Sequence, residues 1–117
     1  MRVLVVDDEQ DVRTVLGAAL RARGHLVAVA ATGHEAIETA ETFQPDVALV
    51  DVGLPDIDGV TLAELLRGTV CTKPVRVIAF SGHGERRLRA AVRRDLFYEY
   101  VLKPATLEAI ERAISHA

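Results

Sequence analysis

The sequence holds one cysteine, one methionine and no tryptophan, and only 4% of it is aromatic. The lone Cys71 cannot form an internal disulfide, and no Cys/His cluster has the spacing of a zinc site. No apolar run approaches the roughly 18 residues that a membrane helix needs. Met1-Arg2 leads straight into Val3-Leu4-Val5-Val6 with no secretory leader pattern, so a cytoplasmic protein without a membrane segment is expected. Basic residues show no excess: fourteen Lys and Arg face seventeen acids, for a net charge of -3. That balance argues against direct nucleic-acid binding. The phosphate loop Gly-x-x-x-x-Gly-Lys is missing, and Gly82-His83-Gly84 is too short for a dinucleotide fingerprint. There is no low-complexity stretch, linker or long repeat. What remains is 117 residues, half of them hydrophobic, enough for a single domain over 1–117 with one core.

Within that length, short β-branched runs alternate with longer amphipathic stretches, five times over. The apolar runs are Val3 to Val6, Leu26 to Ala30, Val47 to Val50, Val75 to Phe80 and Tyr100 to Leu102. Their continuous apolar character predicts strands buried on both faces, as in a parallel sheet. Between them, Val12, Val15, Leu16, Ala19 and Leu20 form a helical stripe that Gly24 ends. Thr32-Gly33-His34-Glu35 reads as a capping box for a helix with Ala36, Ile37, Ala40 and Phe43 inward, closed by Pro45. Leu62, Ala63, Leu65 and Leu66 mark a third helix. Leu88, Ala91 and Val92 mark a fourth, and Leu107, Ile110 and Ile114 a fifth. The expected fold class is therefore α/β, a (βα)5 arrangement with helices on both faces of the sheet. Right-handed crossovers bring all the strands' C-terminal ends to one edge.

In open sheets of this kind, ligands bind outside those C-terminal ends. Asp7 and Asp8 follow the first apolar run, Asp51 the third and Ser81 the fourth, while Lys103 and Pro104 follow the fifth. Three aspartates in one pocket repel one another unless protonated or neutralised by a cation. All-oxygen ligands suit Mg²⁺ or Mn²⁺ rather than zinc. A lysine and a hydroxyl opposite them suit a phosphoryl group, and an aspartate can itself be the nucleophile.

These residues, with the segment Asp51-Val52-Gly53-Leu54-Pro55-Asp56-Ile57-Asp58-Gly59, resemble the receiver domain of bacterial two-component response regulators. The resemblance runs over essentially the whole chain. It implies a flavodoxin-like three-layer sandwich with a five-stranded parallel sheet in the order 2-1-3-4-5. It also implies that Asp51 accepts a phosphoryl group from a histidine kinase or phosphotransfer protein, the receiver supplying its own catalysis of transfer. Asp8, Asp51 and the backbone carbonyl of Gly53 would ligate the metal, with Asp7 reaching it through water. Lys103 would pair with the phosphoryl oxygens, Ser81 would swing toward them, and Tyr100 would follow as the aromatic switch. By the same resemblance, the output surface would lie around the fourth helix and fifth strand. It would address a downstream protein target or a fused effector domain, and homodimers through the fourth helix, fifth strand and fifth helix are common in the family.

Some positions depart from the family pattern. Gly53 and His83 occupy two positions that tune dephosphorylation. Leu96-Phe97 replaces a common Gly-Ala pair beside Tyr100, and Ala105 follows Pro104 where a large apolar residue is frequent. Asp58-Gly59 reads as turn and cap chemistry rather than as a ligand. Arg86, Arg87, Arg89, Arg93 and Arg94 crowd one segment. They form either a solvated face or a surface for an acidic partner or second copy, with Arg86, Arg89 and Arg93 as contacts. His25, His34 and His116 read as surface residues. A haloacid dehalogenase-type phosphatase also combines Asp, Lys and Mg²⁺, but that family carries Asp-x-Asp after its first strand. A phosphorylation-independent, receiver-like scaffold would have no need of Asp7, Asp8, Asp51, Ser81 and Lys103 together.

Overall fold

Each of the five apolar runs forms a strand. The computed structural model describes residues 1–51, 53–70, 74–81, 99–102 and 107–115. The strands are β1 (Arg2–Val6), β2 (Leu26–Ala30), β3 (Val47–Asp51), β4 (Arg76–Ser81) and β5 (Glu99–Leu102). All neighbouring pairs are parallel, and the order is β2-β1-β3-β4-β5, the flavodoxin-like arrangement. Four helices are described: α1 (Gln10–Ala22), α2 (Gly33–Phe43), α3 (Gly59–Leu65) and α4 (Leu107–Ser115). A five-residue π-helical turn, Leu66–Val70, extends α3. The arginine-rich segment read as the fourth helix of the sequence, with Leu96-Phe97 and His116, lies outside the described residues.

Side chains that alternate along the strands divide between two cores, one on each face of the sheet. Val3, Val5, Val47, Leu49, Ile78 and Phe80 pack with Leu16 and Leu20 of α1 and with Ile110, Ala113 and Ile114 of α4. Leu4, Val6, Ala48, Val50, Val77 and Ala79 pack with Ala36 and Ala40 of α2 and with Leu62, Ala63 and Leu66. This gives the three-layer sandwich.

Two sequence expectations are corrected here. Strand β2 is only half-buried and Leu26 is 59% exposed, because β2 lies at the sheet edge with one neighbour. Val15 is 69% exposed, because α1 turns Leu16, Gly17 and Leu20 inward. A Cβ built on Gly17 would lie 3.6 Å from Val29, so the helix settles along β2 on that side.

The local stops behave as the sequence implies. Gly24 adopts φ 92°, a conformation that side chains disfavour, just after α1 ends. Gln44 takes a left-handed conformation at the end of α2, and Pro45 follows. A third correction concerns His25. It is half-buried, and its Nε2 lies 3.0 Å from Glu111 Oε1, joining the start of β2 to α4.

Candidate functional site

Parallel strands end together, and the polar residues at their ends are brought to one edge. Asp7 directly follows β1 and is 1% exposed; its N–H donates to the carbonyl of Ala30 at 3.1 Å. The edge of the sheet therefore continues one residue past β1. The carboxylate of Asp7 accepts the backbone N–H of Glu9 at 2.9 Å, and Arg13 Nη1 donates to its carbonyl at 2.8 Å. Asp51 is the last residue of β3 and 7% exposed; its Oδ1 accepts the N–H of Gly53 at 2.9 Å. Asp8 is exposed beside them. One carboxylate oxygen from each of Asp7, Asp8 and Asp51 lies within 4.8 Å of the others.

Such a donor set fits a hard divalent cation. Ligands at about 2.1 Å from Mg²⁺ stand about 3 to 4 Å apart in an octahedron, a spacing close to that of carboxylate oxygens lying within 4.8 Å of one another. The two buried carboxylates are oriented by backbone donors, and the exposed one faces solvent.

Ser81 closes β4 and pairs with Leu102 in the sheet register, while Tyr100 pairs with Ala79. Both thus belong to the strands on the other side of Asp51, which pairs with Phe80. Lys103, Pro104, His83, Arg86, Arg89 and Arg93 lie outside the described residues.

Beyond Asp51, the connection to α3 is anchored by two further aspartates. Asp58 caps α3, its Oδ1 accepting the N–H of Val60 at 3.0 Å, as the Asp58-Gly59 pair implies. Asp56 does what the sequence does not announce. Its carboxylate accepts the N–H groups of Gly33 (2.9 Å) and His34 (3.0 Å) at the start of α2, and His34 Nδ1 reaches the same carboxylate. Those backbone donors, His34 first, hold the Asp56 carboxyl well below the usual carboxylate range.

Fold and site together define a flavodoxin-like α/β domain with an acidic cluster at the C-terminal edge of its parallel sheet. The model of the response regulator receiver domain matches residues 3–115, and the chain belongs to that family. It is 32% identical over 118 residues to the DNA-binding transcriptional regulator NtrC of Proteus hauseri, covering 97% of this chain and 24% of that protein. It is 37% identical over 107 residues to the transcriptional regulatory protein PrrA of Mycobacterium tuberculosis, covering 91% of this chain and 45% of that one. The response regulator protein TrrA of Thermotoga maritima, solved in complex with Mg²⁺–BeF, aligns at a TM-score of 0.85 with 25% identity, covering 98% and 96% of the two chains. The chain thus spans less than half the length of these curated relatives. No helix among the described residues is long and apolar enough to cross a membrane.

Proposed function

We propose that residues 1–117 act as one receiver unit in which Asp51 is the phosphoacceptor. The observation that carries this reading is the cluster of Asp7, Asp8 and Asp51 at the C-terminal edge of a parallel sheet, two of them buried. Asp8, Asp51 and the Gly53 carbonyl would hold Mg²⁺, with Asp7 acting through water. The TrrA complex with Mg²⁺–BeF supports that choice of ion. When bound, the ion supplies positive charge that neutralises the carboxylates and the incoming phosphoryl oxygens.

The chain's own residues do the rest. A carboxylate oxygen of Asp51 attacks the phosphorus of a phosphohistidine on a kinase or phosphotransfer protein. The new O–P bond forms as the N–P bond breaks, and the imidazole leaves with the electron pair and takes up a proton. The Gly53 N–H holds one Asp51 oxygen during the attack. Lys103 is assigned the phosphoryl oxygens and Ser81 a hydrogen bond to them. Tyr100 and the arginine segment, with Arg86, Arg89 and Arg93, are assigned to the responding surface, where a local charge event biases a two-state element. Water later hydrolyses the acyl phosphate at the same site, so the domain resets itself. The names of NtrC and PrrA favour a transcriptional output through a fused effector or a downstream protein target.

The test is intact-mass spectrometry after incubation with acetyl phosphate and Mg²⁺. One phosphoryl adduct is expected, lost on chelation and in Asp51→Asn. An adduct that survives Asp51→Asn would move the acceptor elsewhere. No adduct and no released phosphate would leave a phosphorylation-independent scaffold.

A further inference from the structure

The loop between Asp51 and α3 is held from a distance. Its far end is capped locally by Asp58, but its middle is tied to another helix through Asp56. The first N–H groups of a helix have no partner within it, and its dipole favours negative charge there. Helix α2 already has a cap of its own: Thr32 Oγ1 accepts the N–H of Glu35 at 3.1 Å. Asp56 is thus a second cap, supplied by the loop, and it takes two other donors. Packing reinforces the tie, since a Cβ placed on Gly33 would lie 2.8 Å from Ile57 Cβ. Only glycine allows the loop to come this close.

We propose that Asp56 is a positioning residue for the metal site. By pinning the loop to the first turn of α2, it keeps Gly53 where its N–H orients Asp51 and its carbonyl can join the metal ligands. This rests on the reading that Asp8, Asp51 and Gly53 hold Mg²⁺. Without the tether the loop populates other positions, and apparent affinity falls in proportion to the competent fraction.

Titration calorimetry of Mg²⁺ into the full chain tests this, using wild type, Asp56→Ala, Asp56→Asn and Thr32→Ala. Asp56→Ala is expected to weaken Mg²⁺ binding about three- to tenfold, as the competent fraction drops. Asp56→Asn, which keeps one oxygen but turns an amide donor toward N–H donors, falls between and decides the matter if the alanine variant does not fold. Thr32→Ala removes the other cap of the same helix. It is expected to lower the melting temperature while leaving the Mg²⁺ dissociation constant unchanged. A dissociation constant within twofold of wild type for both Asp56 variants overturns the proposal. So does equal weakening by Thr32→Ala, which would trace the effect to helix stability. Failure of the wild type itself to bind Mg²⁺ instead removes the underlying reading of the site, and the inference with it.

Discussion

Replacing Asp8 by asparagine should change the sign of its effect on stability when Mg²⁺ is added. Asp8 is the exposed member of the cluster, and its carboxylate oxygen lies within 4.8 Å of one oxygen on each of Asp7 and Asp51. At 4.8 Å, two unit charges repel by about 0.9 kcal/mol in water and about 3.5 kcal/mol at the effective dielectric of a protein surface. Because Asp8 is exposed, the lower figure governs, and two neighbours make about 1–2 kcal/mol. The separation is shorter than the Debye length of about 8 Å at physiological ionic strength, so ordinary buffer screens this only in part. Without divalent ions, Asp8→Asn should therefore be more stable than wild type by about 1–2 kcal/mol, a rise in melting temperature of about 4–8 °C. With saturating Mg²⁺ the order should reverse. The wild type gains the binding free energy of the ion, and the variant, with a neutral ligand in place of a carboxylate, gains less. The assay is thermal unfolding followed by circular dichroism, in EDTA and in a Mg²⁺ series. An Asp8→Asn protein less stable than wild type in EDTA would refute the repulsion argument. Equal stabilisation of both proteins by Mg²⁺ would refute the assignment of Asp8 as a ligand.

Two further expectations follow from the same geometry. Gly17→Ala and Gly33→Ala should have opposite signs in urea unfolding. The first adds helix propensity worth up to about 1 kcal/mol at a position where Cβ meets no atom nearer than 3.5 Å. The second drives Cβ to 2.8 Å from Ile57 and should cost about 1–3 kcal/mol of overpacking; equal signs would undo the steric argument for the loop contact. For Asp56, the folded carboxyl titrates below its unfolded value of about 3.9, so its contribution is present above that pH and lost as pH falls through and below it. In EDTA, the stability advantage of wild type over Asp56→Asn should shrink as pH falls below about 4. A gap that persists unchanged to about pH 2.5 would contradict it.

Much of this protein was legible in the linear order of residues. Five apolar runs separated by amphipathic stretches require parallel strands with crossover helices, because each run is too short to bury itself alone and each stretch has a face to cover. The parallel direction of the strands then gathers their C-terminal ends at one edge, which places Asp7, Asp8 and Asp51 together from sequence alone. Caps and stops were local as well: Thr32 bonds a residue three positions away, and Gly24 takes its positive φ just past the end of α1.

Tertiary structure decided what depends on neighbours distant in the chain. Leu26 looks like a core residue in its apolar run, yet β2 is an edge strand, and edge position is a property of the sheet. Val15 fits the helical stripe of α1, but the rotation of that helix was set by contact with Val27 and Val29, with Gly17 turned inward. His25 meets Glu111 from 86 positions away. Asp56 shows the limit most clearly. Its partners, Gly33 and His34, lie 23 and 22 residues earlier and on another helix. A carboxylate in a loop carries no local signal of such a bond, because the donors it satisfies become available only when α2 and the loop pack side by side. Periodicity, spacing and local caps act between near neighbours and can be read along the chain; edge position, helix rotation and long-range capping arise from packing and exist only in the folded molecule.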